Sequence, residues 1–331
     1  MPGMTMRVPT QAIIAVTYRC NARCTMCDIW QREPEPEVEP SVYYHLPRTL
    51  REINLTGGEP FLRSDLNKIV AVMAERCPGV RMVISSNGLL PERIGELAPK
   101  LRALSPKLGV RISLDGIKPE THDRIRGVPG AFDKAWASLA ALRRAGVKDL
   151  GIGFTMLRGN EDELLPLYEL AKKKGLQFTS TVAHSSAMFF GEQNDSFPEP
   201  AKAAAVYGEL RRRQLQSWRI KDWFRAYFTA GVVDLVSGHP RKIKCPAGRD
   251  FFYLDPFGIA FPCHIENWPL GHIEQGYENL IAQHPEILTK VDTCDEHCWM
   301  TCTVSPLMRR DLTTTAGSVA FDRLRTMVGR L

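Results

Sequence analysis

The first half of the chain alternates short apolar runs with longer amphipathic stretches. The apolar runs predict six β-strands, at residues 13–18, 52–56, 81–85, 110–114, 150–156 and 177–182. The stretches between them repeat their apolar residues at helical spacing and predict helices at 64–76, 91–104, 132–145 and 161–174. Repeated strand–helix units predict an α/β fold with a parallel sheet covered by helices. This pattern fits either a partial β/α barrel or an open, doubly wound sheet.

Four polar motifs directly follow predicted strands of this sheet. They are Cys20-Asn21-Ala22-Arg23-Cys24-Thr25-Met26-Cys27, Gly57-Gly58-Glu59-Pro60, Ser85-Ser86-Asn87-Gly88 and Ser113-Leu114-Asp115-Gly116. In both candidate folds the chemistry gathers at the C-terminal ends of parallel strands, which meet at one edge. We therefore expect the four motifs to surround one mouth.

The first motif places three thiols within eight residues, at Cys20, Cys24 and Cys27. Four thiolates close an ordinary zinc or iron–sulfur site. A cluster held by three keeps one iron open, and an open iron can bind and activate a ligand. The alternatives are a disulfide fragment or a chance grouping of buried cysteines, and the other motifs favour the cluster.

Composition narrows the cellular setting. The 331 residues are 44% apolar and 24% charged, as in ordinary globular proteins, and no apolar stretch reaches membrane-spanning length. The N-terminal residues have no apolar signal-peptide core, so nine cysteines indicate a reducing cytoplasm in which thiols serve metals or catalysis. The net charge of +6 allows an anionic substrate or partner but does not require one.

One early loop and the second half of the chain depart from this strand–helix pattern. Residues 31–40 are a Pro/Glu-rich surface loop, and residues 189–200 are predicted to form another loop. Residues 201–236 are predicted to be mostly helical and carry an aromatic stretch from Trp218 to Phe228, which favours packing between domains over contact with lipid. After residue 238 the sequence predicts short strands, turns and loops, with a β-hairpin formed by 251–254 and 259–261.

Five further cysteines lie in this C-terminal region, at Cys245, Cys263, Cys294, Cys298 and Cys302. The last three are spaced i, i+4, i+8 and would share one face of a helix. Four of the five could close a second cluster, and the alternative is a structural zinc site. Cys77 stands alone and is interpreted as a packed or surface thiol.

The ordered motifs resemble the radical S-adenosylmethionine (radical SAM) superfamily, and the resemblance includes the segment His122-Asp123-Arg124-Ile125-Arg126-Gly127. It implies a partial (β/α)6 TIM-type barrel. It also implies that Cys20, Cys24 and Cys27 hold a 4Fe–4S cluster whose open iron binds SAM. The chemistry implied is reductive cleavage of SAM to a 5′-deoxyadenosyl radical, which abstracts hydrogen from a substrate carbon.

The resemblance also implies roles for neighbouring residues. Met26 would lie against adenine, Gly57 and Gly58 would allow close backbone approach, and Glu59 would accept hydrogen bonds from the methionine ammonium group. Ser85 and Asn87 would bind the ribose or carboxylate of SAM, and Arg126 would meet that carboxylate or instead pair with Asp123 or Asp115. Asp115 is a candidate proton acceptor.

The C-terminal region looks like a SPASM/Twitch auxiliary-cluster domain, with Gly258 and Cys263 in its opening pattern. The predicted division is residues 1–238 for the radical SAM core, with a helical extension at about 199–238, and 239–331 for the auxiliary domain. Five cysteines suffice for one auxiliary 4Fe–4S cluster. Which of Cys294, Cys298 and Cys302 is not a ligand stays open.

The predicted function is hydrogen abstraction from a small metabolite or peptide, with the auxiliary cluster assisting oxidation or bond formation. A lipid or glycan precursor is an alternative substrate, and a non-enzymatic iron–sulfur redox or metal-binding protein is the rival class. We expect a flavodoxin- or ferredoxin-type electron donor and no nucleic-acid partner, and contact with a membrane surface is a less favoured alternative. Arg211-Arg212-Arg213 is accordingly interpreted as a solvated helix face.

Overall fold

The computed structural model describes residues 8–189, 194–294 and 298–327, without the side chains of 302, 303, 314 and 325–327. Its core is a run of six parallel strands in the order β6-β5-β4-β3-β2-β1. They are β1 (Gln11–Thr17), β2 (Glu52–Gly57), β3 (Arg81–Ser86), β4 (Gly109–Ser113), β5 (Asp149–Met156) and β6 (Gln177–Val182). Each predicted strand is present, with ends that differ by at most two residues.

Five helices cover one face of these strands and its edges. They are α1 (Leu66–Arg76), α2 (Pro91–Leu104), α3 (Pro119–Arg126), α4 (Ala131–Arg144) and α5 (Leu164–Lys173). The sequence pattern missed α3, which is a short helix with only His122, Ile125 and Arg126 buried. The predicted helix at 161–174 begins instead with a 3₁₀ turn, Glu161–Glu163, before α5.

The two faces of the sheet have different chemistry. Residues such as Ile53, Leu55, Ile84 and Ile112 pack into the main apolar core. Because side chains alternate along a strand, the intervening positions share the other, concave face, which carries Glu52, Asn54, Arg81, Arg111 and Asp149. The predicted partial barrel is confirmed, and its interior is strongly polar.

The C-terminal region continues the same sheet. β7 (Phe251–Leu254) pairs in parallel with β1, and β8 (Ile259–Phe261) and β9 (Gly271–His272) follow in antiparallel order. The predicted hairpin is thus present, but the expectation of only strands, turns and loops was wrong. Within the segments that the structure describes, the helices that follow are α8 (Tyr277–Gln283), α9 (Pro285–Asp292), α10 (Thr301–Arg310) and α11 (Leu312–Met327). The division at residue 238 stays a prediction.

Two long helices link the halves, α6 (Pro200–Gln216) and α7 (Ile220–Val236). The aromatic stretch packs as expected, since Trp223 and Tyr227 lie in an apolar cluster with Val319 of α11. Trp218 is the exception, with 91% of its surface exposed. In the described segments no helix is both long and apolar enough to cross a bilayer.

The Arg211-Arg212-Arg213 run is engaged in ion pairs between helices. Arg211 lies 2.5 Å from Asp322, while Arg213 contacts both Glu169 and Glu209. Arg212 also pairs with Glu209. These contacts tie α6 to α5 and α11 and account for the run in structural terms.

Candidate active site

The cysteine loop after β1 is held on one side by the Gly57-Gly58-Glu59 segment. The Gly58 N–H donates to the Thr17 carbonyl at 2.8 Å, and the Glu59 N–H donates to the Arg19 carbonyl at 2.8 Å. A Cβ atom on Gly58 would lie only 2.1 Å from the Arg19 carbonyl oxygen. The glycine is therefore required by the approach of the cysteine loop itself. The sequence analysis predicted that this glycine allows close approach of the backbone to SAM, whereas the observed close approach is to the cysteine loop.

The end of α3 holds the other side of the loop. Arg23 N–H donates to the Arg126 carbonyl at 2.9 Å, and Thr25 N–H donates to the Ile125 carbonyl at 2.9 Å. Gly127 ends the helix with φ +63°, and a Cβ there would be 2.3 Å from the Arg23 carbonyl oxygen. The His122–Gly127 motif thus shapes the cysteine loop through its backbone.

The three N-terminal thiols lie near one another and are half-buried. Burial raises the pKa of Cys20 to about 11 and that of Cys27 to about 12; nearby backbone N–H groups oppose this rise, and the neighbouring thiols add to it. Burial also raises the pKa of Cys24, while the Arg126 guanidinium opposes that effect. A metal must displace these protons. Among the described residues no three or more His, Cys, Asp or Glu side chains are arranged to hold a metal ion, so the three thiols would have to draw together as a cluster binds.

The Glu59 carboxylate joins the loop after β2 to the end of β3 and the loop that follows it. This carboxylate, which is 1% exposed, accepts hydrogen bonds from the Phe61 N–H at 3.0 Å, the Ser86 hydroxyl at 2.9 Å and the Asn87 N–H at 2.7 Å. Burial raises the pKa of Glu59 to about 7, with these three donors opposing the rise. A cation placed beside it would favour the ionised form.

Arg126 joins the α3 motif to the cysteines. Its guanidinium forms a buried ion pair with Asp115 at 2.5 Å and donates to the Cys24 sulfur at 3.5 Å. The pairing with Asp115 was one of the predicted alternatives, although it is buried and not at the surface. Asp115 is fully buried and also accepts from the Thr155 N–H at 2.8 Å. Its contacts hold the loops in place, and its role as a proton acceptor stays a prediction.

The side chains of the Ser85-Ser86-Asn87 motif lie in two different environments. Asn87 donates to Asn21 at 2.8 Å and lies 3.8 Å from the Cys20 sulfur. Ser86, which the sequence analysis did not select, contacts Glu59, whereas Ser85 points into the barrel interior. The period-2 alternation of a strand decides this, because neighbouring serines face opposite ways.

Met26 is buried beside the cysteines. It packs with Ile125, Leu157 and Ala183, and Cys24 borders the same small apolar cluster. The Met26 carbonyl accepts a hydrogen bond from Asn194 at 3.1 Å. Its predicted position next to the cysteine site is what the structure shows, while the contact with adenine stays a prediction.

The C-terminal cysteines converge at a second place. Cys298 is electrostatically coupled to Cys245, Cys263 and Cys294, and burial raises the pKa of Cys263 to about 12. The Glu266 N–H points at the Cys263 sulfur from 3.5 Å. The side chain of Cys302 lies outside the described residues. The four thiols come from separate segments, and Cys294 and Cys298 lie between α9 and α10 and not on one helix face as expected. In the part of the chain that the structure describes, no three or more His, Cys, Asp or Glu side chains are arranged to hold a metal ion, so these thiols would have to draw together around one.

The two cysteine sites share one apolar wall. Cys20 and Cys27 border the same cluster as Cys245 and Cys263, built around residues such as Tyr253. The Tyr253 hydroxyl lies 2.7 Å from the Tyr18 hydroxyl. Cys77, by contrast, is buried elsewhere and donates to the Pro47 carbonyl at 3.3 Å, in keeping with its interpretation as a packed thiol.

A cavity of about 710 Å³ lies on the concave face of the sheet. The cavity was not predicted from the sequence, although the charged residues at alternating positions of the strands indicated a polar interior. Ser85 and Ser113 line its wall, two residues before Asn87 and Asp115. α7 and α10 contribute residues to the opposite wall.

Known proteins of similar sequence identify the family to which this architecture belongs. The profile of the Radical SAM superfamily matches residues 14–171. An AdoMet-dependent heme synthase of Nitratidesulfovibrio vulgaris is 33% identical over 87% of this chain and 86% of its own length. The chain belongs to the radical SAM superfamily. It is a radical SAM enzyme, as predicted.

Other similarities extend through the C-terminal region. The mycofactocin maturase MftC of Mycolicibacterium smegmatis is 28% identical over 83% of this chain and 70% of its own length. The structure of anSMEcpe with bound AdoMet and the Cp18Cys peptide covers 94% of this radical SAM chain and 99% of its own, with a TM-score of 0.63 at 14% identity. The matched fold therefore includes the region beyond residue 238.

Proposed function

We propose that this radical SAM enzyme binds a 4Fe–4S cluster through Cys20, Cys24 and Cys27 and binds SAM at the iron that these thiolates leave open. The observation that carries the proposal is the clamping of three grouped thiols between Gly58 and Gly127. When bound, the cluster and SAM would supply the one-electron cleavage and the radical chemistry that no protein side chain provides.

The residues around the thiols would orient these groups. Glu59 would hold the ammonium group of SAM, because its buried carboxylate is held by fixed donors and would gain from a nearby cation. Asn87 would contribute a polar contact, and Met26 an apolar surface for adenine. Arg126 would balance negative charge at Cys24, from which it lies 3.5 Å. The buried setting would keep water from a reactive intermediate.

We further propose that Cys245, Cys263, Cys294 and Cys298 hold an auxiliary 4Fe–4S cluster. The electrostatic influence of Cys245, Cys263 and Cys294 on Cys298 supports this set, while the side chain of Cys302 lies outside the described residues. Arg241 donates to the Cys298 sulfur at 3.4 Å, a contact that favours an anionic thiolate. The shared apolar wall between the two sites supports a role for this cluster in oxidation or bond formation on a substrate.

We infer that the substrate is a small metabolite. A relative with 33% identity over most of both chains is named a heme synthase, and the interior cavity is walled by helices. A peptide substrate is the second candidate, because mycofactocin maturase matches most of this chain. The flavodoxin- or ferredoxin-type donor and the cytoplasmic location stay predictions.

The test is anaerobic reconstitution with iron and sulfide, followed by dithionite and SAM. We expect 5′-deoxyadenosine and about eight irons per chain, from two four-iron clusters. Replacing Cys20, Cys24 and Cys27 by Ala should abolish 5′-deoxyadenosine but leave about four irons and their absorbance. Cys77→Ala is the matched control and should change neither.

Two results would contradict these assignments. A folded, cluster-loaded protein that forms no 5′-deoxyadenosine would exclude the enzymatic proposal and favour the redox or metal-binding class. About four irons with one zinc would exclude the auxiliary cluster and identify a structural zinc site.

A further inference from the structure

The barrel cavity has the size and composition of a small-molecule site. Its volume of about 710 Å³ falls in the range typical of ligand pockets, roughly 300–1,000 Å³. Its apolar lining includes Val83 of the sheet, Phe224 and Phe228 of α7, and Met308 of α10. These side chains come from opposite walls and can enclose a flat apolar body.

The cavity also carries an excess of positive charge. Among the described residues, its lining has five basic side chains and two carboxylates. The basic residues are Arg81, Arg111, Lys221, Arg225 and Arg309, and the carboxylates are Glu52 and Asp149. Concave surfaces of one charge sign raise the local concentration of oppositely charged ligands.

The ion pairs within the cavity leave one arginine charge uncompensated. Asp149 pairs with Arg81 at 2.5 Å and with Arg111 at 2.7 Å. Glu52 pairs with Arg81 at 2.6 Å and with Arg309 at 2.8 Å. Three arginines thus share two carboxylates.

Lys221 supplies a second unbalanced charge. Arg225 is neutralised by Asp222 at 3.0 Å, whereas Lys221 forms no ion pair with any described residue. Lys221 lies at the exposed rim of the cavity, where partial burial lowers its pKa and the neighbouring Arg225 and Arg111 lower it further while Asp149 opposes them. An anion would relieve this mutual repulsion.

The position of the cavity suits the proposed radical chemistry. Ser85 and Ser113 line its wall and lie two residues before Asn87 and Asp115 on their strands. At about 3.3 Å per residue, the lining and the motif loops are separated by about 7 Å along the strands. A ligand in the cavity would therefore extend toward the site assigned to SAM.

We propose that this cavity binds the substrate, and that the substrate is a small dianion with an apolar, ring-sized body whose anionic groups face the three arginines that share two carboxylates and Lys221. This inference rests on the proposed function, since the substrate must lie next to the radical source. The two unbalanced charges select a dianion, and the phenylalanine wall selects the apolar body. Carboxylate and phosphate groups both supply the negative charge that this site requires.

The test is calorimetric titration of the full-length, cluster-loaded protein with four probes of similar size. These are naphthalene-2,6-dicarboxylate, 2-naphthyl phosphate, 2-naphthoate and the neutral naphthalene-2-methanol. We expect at least one of the two dianions to bind at least about tenfold more tightly than the neutral probe, with the monoanion between. Added salt should weaken dianion binding and leave the neutral probe unchanged.

Variants localise the effect. Lys221→Gln should weaken dianion binding about threefold or more without changing the neutral probe, because only the charge is lost. Phe224→Ala should weaken all the probes that bind, and Lys134→Gln, at an exposed position outside the cavity, should change none. A preference for either dianion alone supports the proposal and identifies the anionic group as carboxylate or phosphate.

Equal affinity for charged and neutral probes would overturn the inference, as would binding of none of them or equal effects of Lys221→Gln and Lys134→Gln. Formation of 5′-deoxyadenosine is measured on the same preparation without any probe. Cleavage of SAM without dianion binding would exclude the cavity assignment alone. Dianion binding without SAM cleavage would instead exclude the proposed radical function.

Discussion

Arg126 and Asp115 form a buried ion pair, 2.5 Å long, that joins the end of α3 to the loop after β4. The same guanidinium reaches the Cys24 sulfur at 3.5 Å. Two motifs that are separate in sequence are thereby fixed to the cysteine loop, and the geometry of that loop depends on a buried pair of charges.

Replacing Arg126 by Gln should destabilise the metal-free protein by about 3–5 kcal/mol, because the Asp115 carboxylate would remain buried without its cation. Urea denaturation measures the loss. The double variant Arg126→Gln/Asp115→Asn should recover much of it, since no uncompensated charge remains. A single-variant loss below about 1 kcal/mol, as for a surface pair, would contradict a buried role.

Gly58→Ala should prevent assembly of the N-terminal cluster, because the new Cβ would lie 2.1 Å from the Arg19 carbonyl oxygen. Iron content should fall from about eight to about four per chain, and 5′-deoxyadenosine should disappear. Gly208→Ala in α6 is the matched control, since a Cβ there meets nothing within 4 Å. Normal iron loading by Gly58→Ala would show that the loop can move aside.

Glu59 should make the metal-free protein less stable as the pH rises. Its pKa is about 7 in the folded protein and near 4.5 when unfolded, so the folded state holds an extra proton between these values. The contribution is fully present below about pH 4.5, is lost as the pH approaches 7, and amounts to about 3 kcal/mol.

Glu59→Gln should therefore remove this slope. The measurement is the difference in unfolding free energy between variant and wild type at intervals from pH 4.5 to 8. A difference that does not change with pH would mean that Glu59 does not titrate in this range.

Gly231→Ala should impair the auxiliary site selectively. A Cβ at this position of α7 would lie 2.0 Å from the Trp299 ring, and Trp299 directly follows Cys298. The Trp299 indole N–H also donates to the Phe228 carbonyl at 2.7 Å, so displacement of the ring should move the cysteine.

We expect about four irons to be lost from this variant while SAM cleavage persists. Iron analysis and 5′-deoxyadenosine formation, compared with Gly208→Ala, measure the two effects. Loss of SAM cleavage with a full iron content would contradict the assignment of Cys298 to the second cluster.

The local sequence was sufficient for the strands and for the order of the motifs. Each strand is an apolar run bounded by polar turns, and these signals lie within a few residues of one another. Membership of the radical SAM superfamily also followed from local motifs, because Cys20–Cys27 and Gly57-Gly58-Glu59-Pro60 each form one continuous segment.

The short helix α3 and the C-terminal helices were harder to predict. α3 buries only three side chains, and the helices after residue 276 are mostly short and interrupted by turns, so their periodic signal is weak. Tertiary contacts, such as Arg309 with Glu52, hold such segments in place across more than half of the chain.

The sequence by itself determined which motif follows which strand, the set of three thiols and the superfamily, because these depend on spacing along the chain. Tertiary structure alone decided which serine meets Glu59, which carboxylate pairs with Arg126, and that α7 and α10 wall a cationic cavity. Those outcomes depend on how distant segments pack and on which face of a strand each side chain occupies. Packing also decided that Gly58 and Gly127 clamp the cysteine loop, since the carbonyl groups they accommodate belong to a different segment.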